Sequence, residues 1–208
     1  MESCEPQGEA SPVTATYRFM RSGAISILGL SLIWLLLTGG GGRAQESPPT
    51  EYQLKAAFLF NFAKFVEWPP ARFAETNSRI VLGILGKNPF GDILQQTIKG
   101  KTINNHSLEV VTYFDSSVVL TNCHILFISD SEKDRLKAII DGLSNASVLT
   151  VGETDGFIKS GGMIRFFPLE QENKEVTKIR FEINEQAARD ARLKISSKLL
   201  ILASPKKR

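Results

Sequence analysis

Four short apolar runs constrain this chain more than any other feature: "RIVLGILG" (79–86), "SLEVVTYF" (107–114), "HILFIS" (124–129) and "SVLTVG" (147–152). Each is rich in β-branched or aromatic residues, and each is too short and too continuously apolar to be one face of a surface helix. Helix-like segments stand between them. "PFGDILQQTIKG" (89–100) reads as a short helix, and "DSEKDRLKAIIDGLS" (130–144) reads as another, opened by an Asp/Ser cap with acids in its first turn. Strands that are apolar throughout must be covered on both faces, and strands joined through helices run parallel. The expected fold is therefore α/β: a three-layer sandwich around a mainly parallel, Rossmann-like sheet.

The pattern changes beyond Gly152. "GGMIRFFPL" and "TKIRFEIN" are strand-like runs separated by the polar "EQENKEV", with no room for a crossover helix. They predict an antiparallel hairpin at a C-terminal edge of the sheet, with Glu182 or Arg180 opposite Arg165. A final segment, 185–203, reads as one helix. Upstream of the sheet, "EYQLKAAFLFNFAKFVEWPP" places Leu54, Phe58, Phe62, Phe65 and Val66 at spacings of three and four, with Lys55 and Lys64 off that stripe, and Pro69-Pro70 stops it. Phenylalanines at 58, 60, 62 and 65 extend the apolar surface beyond one stripe. The second aromatic face is either buried within the chain or covered by a partner.

The N-terminus carries a different signature. "AISILGLSLIWLLL" (24–37) is preceded by Arg18 and Arg21 and followed by "TGGGGRAQ", the layout of a secretory signal with cleavage near Ala44 and Met20 as an alternative start. The alternative is an uncleaved membrane anchor. The domain reading is an N-terminal extension and signal over 1–44, a linker over 45–50, one domain over 51–204 and a basic tail over 205–208. The full chain has a net charge of +3, and residues 1–44 hold three basic and three acidic residues, so their removal leaves that balance unchanged. "PKKR" (205–208) alone supplies three positive charges, leaving a near-neutral domain that is unsuited to neutralising many phosphates. Nucleic acid is not an expected partner. Once Cys4 is removed, Cys123 is left as a free thiol before the apolar run 124–129, where it reads as buried.

Motifs for chemistry are absent from the sequence. "GILGKNPFG" (83–91) matches neither GxGxxG nor GxxxxGK[ST], and His106 and His124 are the only histidines, without partners at helical spacing. No GxSxG or HExxH occurs. The reading is of a non-enzyme with no catalytic residues, metal or cofactor. The loop "VGETDGFIKSGGMIRFF" (151–167) remains as the candidate site. Gly152, Gly156, Gly161 and Gly162 read as turn residues. Phe157 is either core or an exposed apolar anchor. In the second case it would be ringed by Lys159, Arg165 and Arg180, with Glu182 beside them, as a docking surface for a partner.

"LKAAFLFNFAKFVEWP", "LGILGKNPFG", "CHILFIS", "VLTVGETDGFIKSGGMIRFF", "IRFEIN" and "LKISSKLLILA" occur in an order and spacing that resemble the YfiR family of exported bacterial proteins. The resemblance implies a periplasmic repressor. Its partner would be the periplasmic sensor part of an inner-membrane diguanylate cyclase (YfiN-like), repressed so that cyclic di-GMP and biofilm formation fall. A YfiB-like outer-membrane lipoprotein would titrate the repressor away. The resemblance also implies a homodimer. Its well-known members carry more cysteines and a disulfide, which Cys123 alone cannot reproduce. The alternative function is a periplasmic small-ligand module signalling to a membrane sensor kinase or cyclase, with ligand at the carboxyl ends of the parallel strands near Gly86, Ser129 and Gly152.

Overall fold

The structure, a computed structural model, describes residues 49–73, 78–115, 120–169 and 179–203. The secretory signal, Met20, Cys4, most of the linker, the polar run 170–178 and the basic tail lie outside the described residues. In chain order the elements are α1 (Glu51–Phe65), β1 (Val66–Glu67), β2 (Ile80–Leu85), α2 (Ile93–Ile98), β3 (Thr102–Ile103), β4 (His106–Tyr113) and β5 (Ile125–Ile128). They continue with α3 (Leu136–Gly142), β6 (Leu149–Gly152), β7 (Ile164–Pro168), β8 (Ile179–Ile183), α4 (Glu185–Asp190), β9 (Lys194–Ile195) and α5 (Ser197–Leu202).

Seven strands form one sheet in the order β3-β4-β2-β5-β6-β7-β8. The five central strands are mutually parallel, while β3 and β8, at the two edges, run antiparallel to their neighbours. The predicted α/β fold and C-terminal hairpin are both present, and Arg165 lies opposite Glu182. The continuous apolar runs are explained by alternation. Ile80, Leu82, Ile84, Ile125, Phe127, Leu149 and Val151 point into one core with α1, α2, α4 and α5. Leu85, Leu126 and Ile128 point into a second core with α3. Both faces are dry, so both parities must be apolar.

α1 starts at a capping box: Gln53 N–H donates to Thr50 Oγ1 (3.4 Å), and Thr50 N–H donates to Gln53 Oε1 (2.6 Å). Its aromatic residues are used within the chain. Phe62 is fully buried, and the ring of Phe58 packs at 5.3 Å from Phe181 and 6.0 Å from Phe166. The inward side differs from the expected stripe, because Lys55, Ala56, Leu59, Phe62 and Ala63 are its buried residues. Lys55, expected outside, is 3% exposed.

Two further expectations are corrected. Segment 130–144 begins as a 3-10 helix (Asp130–Arg135) that carries no side-chain cap bond and becomes α-helical only at Leu136. Segment 185–203 is not one helix. Arg192 adopts φ 59°, which ends α4, and β9 then pairs with β1 (Val66↔Ile195) before α5 begins. The pairing partner lies 129 positions upstream by register (195 − 66), so no local periodicity announces the break.

Candidate functional site

The loop between β6 and β7 does the work of a crossover helix without being one. The two strands are parallel, and the intervening chain folds as a series of turns stapled by Phe157 N–H to Thr154 O (3.1 Å), Ser160 N–H to Gly156 O (2.9 Å) and Gly162 N–H to Phe157 O (2.9 Å). Phe157 is 0% exposed and belongs to the second core. Its ring lies against Gly152 and Gly162, where a Cβ would overlap it, so these two glycines are small in order to admit the ring. Gly156 (φ 79°) and Gly161 (φ 99°) are turn glycines in the left-handed region. The exposed-anchor alternative for Phe157 is thereby corrected: a loop covering the sheet must supply the apolar contacts that a helix would have made.

The ring of cations dissolves with it. Arg165 donates from Nε to Glu182 (2.7 Å) and from Nη1 to Asp155 (2.8 Å), and its guanidinium lies 5.4 Å from the Phe167 ring centroid. It is a neutralised strut across the hairpin, not a free charge. Lys159 and Arg180 are exposed, with Arg180 opposite Phe167 in the ladder.

The most densely charged interior site was not read from the sequence as such. Lys55 bridges the carboxylates of Glu51 and Glu153, and Tyr52 Oη donates to Glu153 Oε1 (3.3 Å). Burial opposes the Lys55 charge, yet the two carboxylates outweigh it and raise its pKa. Tyr52 is raised by burial and by Glu153. No local pattern in the sequence marks Glu153; only its contact with α1 reveals its role.

At the other end of the sheet, Arg72 donates to the carbonyls of Thr121 (2.7 Å) and Cys123 (2.6 Å), and Phe73 stacks between His106 (4.5 Å) and His124 (4.9 Å). Val81 N–H donates to His124 Nδ1 (3.1 Å), which puts the proton of the neutral ring on Nε2. Nε2 is buried and has no aligned partner. Burial, with the Arg72 cation beside it, pulls the His124 pKa down to about 4. Cys123 is buried and free, donates to Leu120 O (3.0 Å), and is pushed up to about 12 by burial. A thiol so held is a poor nucleophile.

The crevice expected for a ligand is filled by the protein itself. Strand order reverses at β2 and β5, and there Lys87 N–H donates to Ser131 Oγ (3.0 Å) while Arg135 pairs with Glu132 (2.5 Å). The side chains of Ser131 and Glu132 occupy the space above Gly86, as Phe157 does beside Gly152. Among the described residues no cluster of acids, histidines and cysteines could hold a metal, and no helix is long and apolar enough to cross a membrane.

What the surface offers is apolar. Among the described residues the exposed large hydrophobics are Phe114 (84%), Ile201 (82%) and Leu202 (58%). The latter two share α5, whose Leu199 is in the core. At about 100° per residue, Lys198 lies between Ile201 and Leu202, with Ile201 opposite Leu199 and Leu202 flanking it. The outward face of α5 is thus an apolar pair around one cation. Reading 185–203 as a single helix concealed it, because α5 is a separate element with Leu199 as its buried residue.

These features define an α/β domain with a mostly parallel sheet, a filled crevice and an exposed apolar pair on α5. The chain belongs to the YfiR/HmsC-like family, whose model matches residues 52–204. No curated protein matches. The fold is similar to the crystal structure of a conserved domain protein from Vibrio cholerae O1 biovar El Tor, with a TM-score of 0.50 at 13% identity. The match covers 76% of this chain and 60% of that one, so this chain spans less than two thirds of its length.

Proposed function

We propose that this protein is an exported regulator that acts by contact, without catalysis, on the periplasmic sensor part of a membrane diguanylate cyclase of the YfiN type or a related sensor kinase. Binding represses the cyclase, lowering cyclic di-GMP and biofilm formation, and a YfiB-like lipoprotein competes for the repressor. Family membership supports the reading. The observation that carries it is the outward face of α5, where Ile201 and Leu202 stand exposed beside Lys198 while Leu199 anchors the helix in the core. An apolar pair held on a rigid element is what a contact regulator needs, since hot spots are desolvated apolar anchors. The filled crevice at β2 and β5 favours protein contact over a small ligand there.

The experiment compares cyclic di-GMP in cells lacking the gene, complemented by the wild type or by Ile201→Glu/Leu202→Asp at equal envelope levels. Loss of the pair should cost on the order of 2 kcal/mol or more of binding and raise cyclic di-GMP to the deletion level, with the melting temperature unchanged. Repression by the double variant equal to that of the wild type overturns the assignment.

A further inference from the structure

A cleft of about 370 Å³ lies at the amino ends of β6 and β7, the end of the sheet opposite the filled crevice. That volume falls in the range of small-molecule sites. Its walls are the last turn of α3, the loop 159–161 and the last turn of α4, and its lining includes Thr150 and Met163, which are 2% and 7% exposed. Gly161 lets the loop approach α3 closely, since a Cβ there would stand 3.2 Å from Ile140 Cγ2. Thr150 Oγ1 accepts from Met163 N–H (3.1 Å), while among the described residues the hydrogen of its own hydroxyl meets no acceptor. Buried polar groups are ordinarily satisfied, so the cleft offers a donor to an incoming carbonyl.

The charges on the walls are balanced but not all paired. Lys137 is tied to Asp141 along α3, which leaves Lys159 on the loop and Asp190 on α4. Lys159 makes no ion pair among the described residues, and Asp190 accepts from Gln186 Nε2 (2.7 Å) without a cationic partner. A carboxylate in the last turn of a helix opposes the helix dipole, and a cation beside it would relieve that. Ile140, Met163, Ala187 and Ala191 supply apolar lining.

We infer that this cleft binds a short peptide with free termini, its carboxylate at Lys159, its ammonium at Asp190, a backbone carbonyl on the Thr150 hydroxyl and an apolar side chain against Met163 and Ile140. A ligand with a single charge would leave one of the two unpaired wall charges unanswered. A multiply charged anion would meet Asp141 and Asp190. An extended dipeptide holds its two charges about 7 Å apart, at roughly 3.3 to 3.6 Å per residue, which suits charges presented by two separate elements; a free amino acid carries both on one carbon. The site shares no residue with the outward face of α5, so it stands whether or not that face docks a cyclase.

The test is calorimetric titration of protein purified from the envelope of cells expressing the full chain, with L-alanyl-L-leucine as the probe. Saturable one-to-one binding is expected. The N-acetylated and the C-amidated dipeptides should each bind roughly tenfold or more weakly, since each loses one charge-assisted hydrogen bond. Lys159→Met should bind the acid and the amide alike, and Asp190→Asn should bind the free and the acetylated amine alike. A merely structural role for either residue would not remove one preference and keep the other. Both side chains are exposed, so the melting temperatures of the two variants should match that of the wild type. No saturable binding of the dipeptide to the wild type up to roughly 10 mM overturns the inference. So does free L-leucine binding as tightly as the dipeptide, or a wild-type pattern of preference kept by both variants.

Discussion

The ammonium of Lys55, on the first turns of α1, is locked to the carboxylate of Glu153, ninety-eight residues further on at the end of β6. The pair ties the first helix to the carboxyl end of the sheet, and Glu51 closes it from the helix side. Lys55 is 3% exposed and Glu153 17%. Removing the cation leaves the part-buried Glu153 carboxylate without its partner and near a second acid, Glu51. Lys55→Met should therefore lower stability by about 3 kcal/mol in chemical denaturation. Glu51→Gln, at a 41% exposed side chain, should cost under about 1 kcal/mol. Equal losses for the two variants would show that Glu153 does not carry the contact.

Phe157 and Arg165 are structural where the loop might have been a docking site. Phe157→Ala should destabilise by about 3 to 5 kcal/mol, since the cavity lies between two backbone-bound glycines that cannot close it. Arg165→Glu sets a third carboxylate between Glu182 and Asp155 and should lower the denaturation midpoint as well. A wild-type midpoint for Arg165→Glu would mean that the hairpin strut contributes nothing.

His124 makes stability depend on pH. Its ordinary value of 6.5 falls to about 4 in the folded protein, so between those limits the unfolded chain binds the proton more readily. Stability is then at its full value above pH 6.5, falls as pH drops through that window, and levels off below about 4. The swing has an upper size of about 3 kcal/mol. Protonation also removes the acceptor for Val81 N–H. His124→Asn keeps an acceptor near the Nδ1 position and cannot titrate. Melting temperatures from pH 4 to 7 should rise more steeply for the wild type than for the variant, and parallel curves would refute the assignment.

The sheet was legible in the sequence because burial on both faces leaves a local mark: Ile80–Leu85, Ile125–Ile128 and Leu149–Gly152 are apolar at every position but a few. The hairpin was legible because two strand-like runs flank a short polar segment with no room for a crossover helix, the pattern of an antiparallel return. The glycines at 156 and 161 declared their turns through the conformations that only they adopt freely. Cys123 read as buried because the apolar run that follows it is a central strand.

Only the tertiary structure decided the rest. Lys55 and Phe157 carry opposite chemical labels from the places they occupy, a cation inside and an aromatic drawn from a turn into the core, because Glu153 neutralises one and Gly152 and Gly162 make room for the other. The C-terminal segment breaks at Arg192, β9 pairs with β1 across the fold, and α5 beyond it buries Leu199 while Ile201 and Leu202 stand exposed. The physical reason is one of range. Periodicity and turn chemistry record what a residue does to its own backbone within a few positions. Burial, pKa and exposure are set by whichever distant segment arrives beside it, and those partners become neighbours only when the sheet has closed.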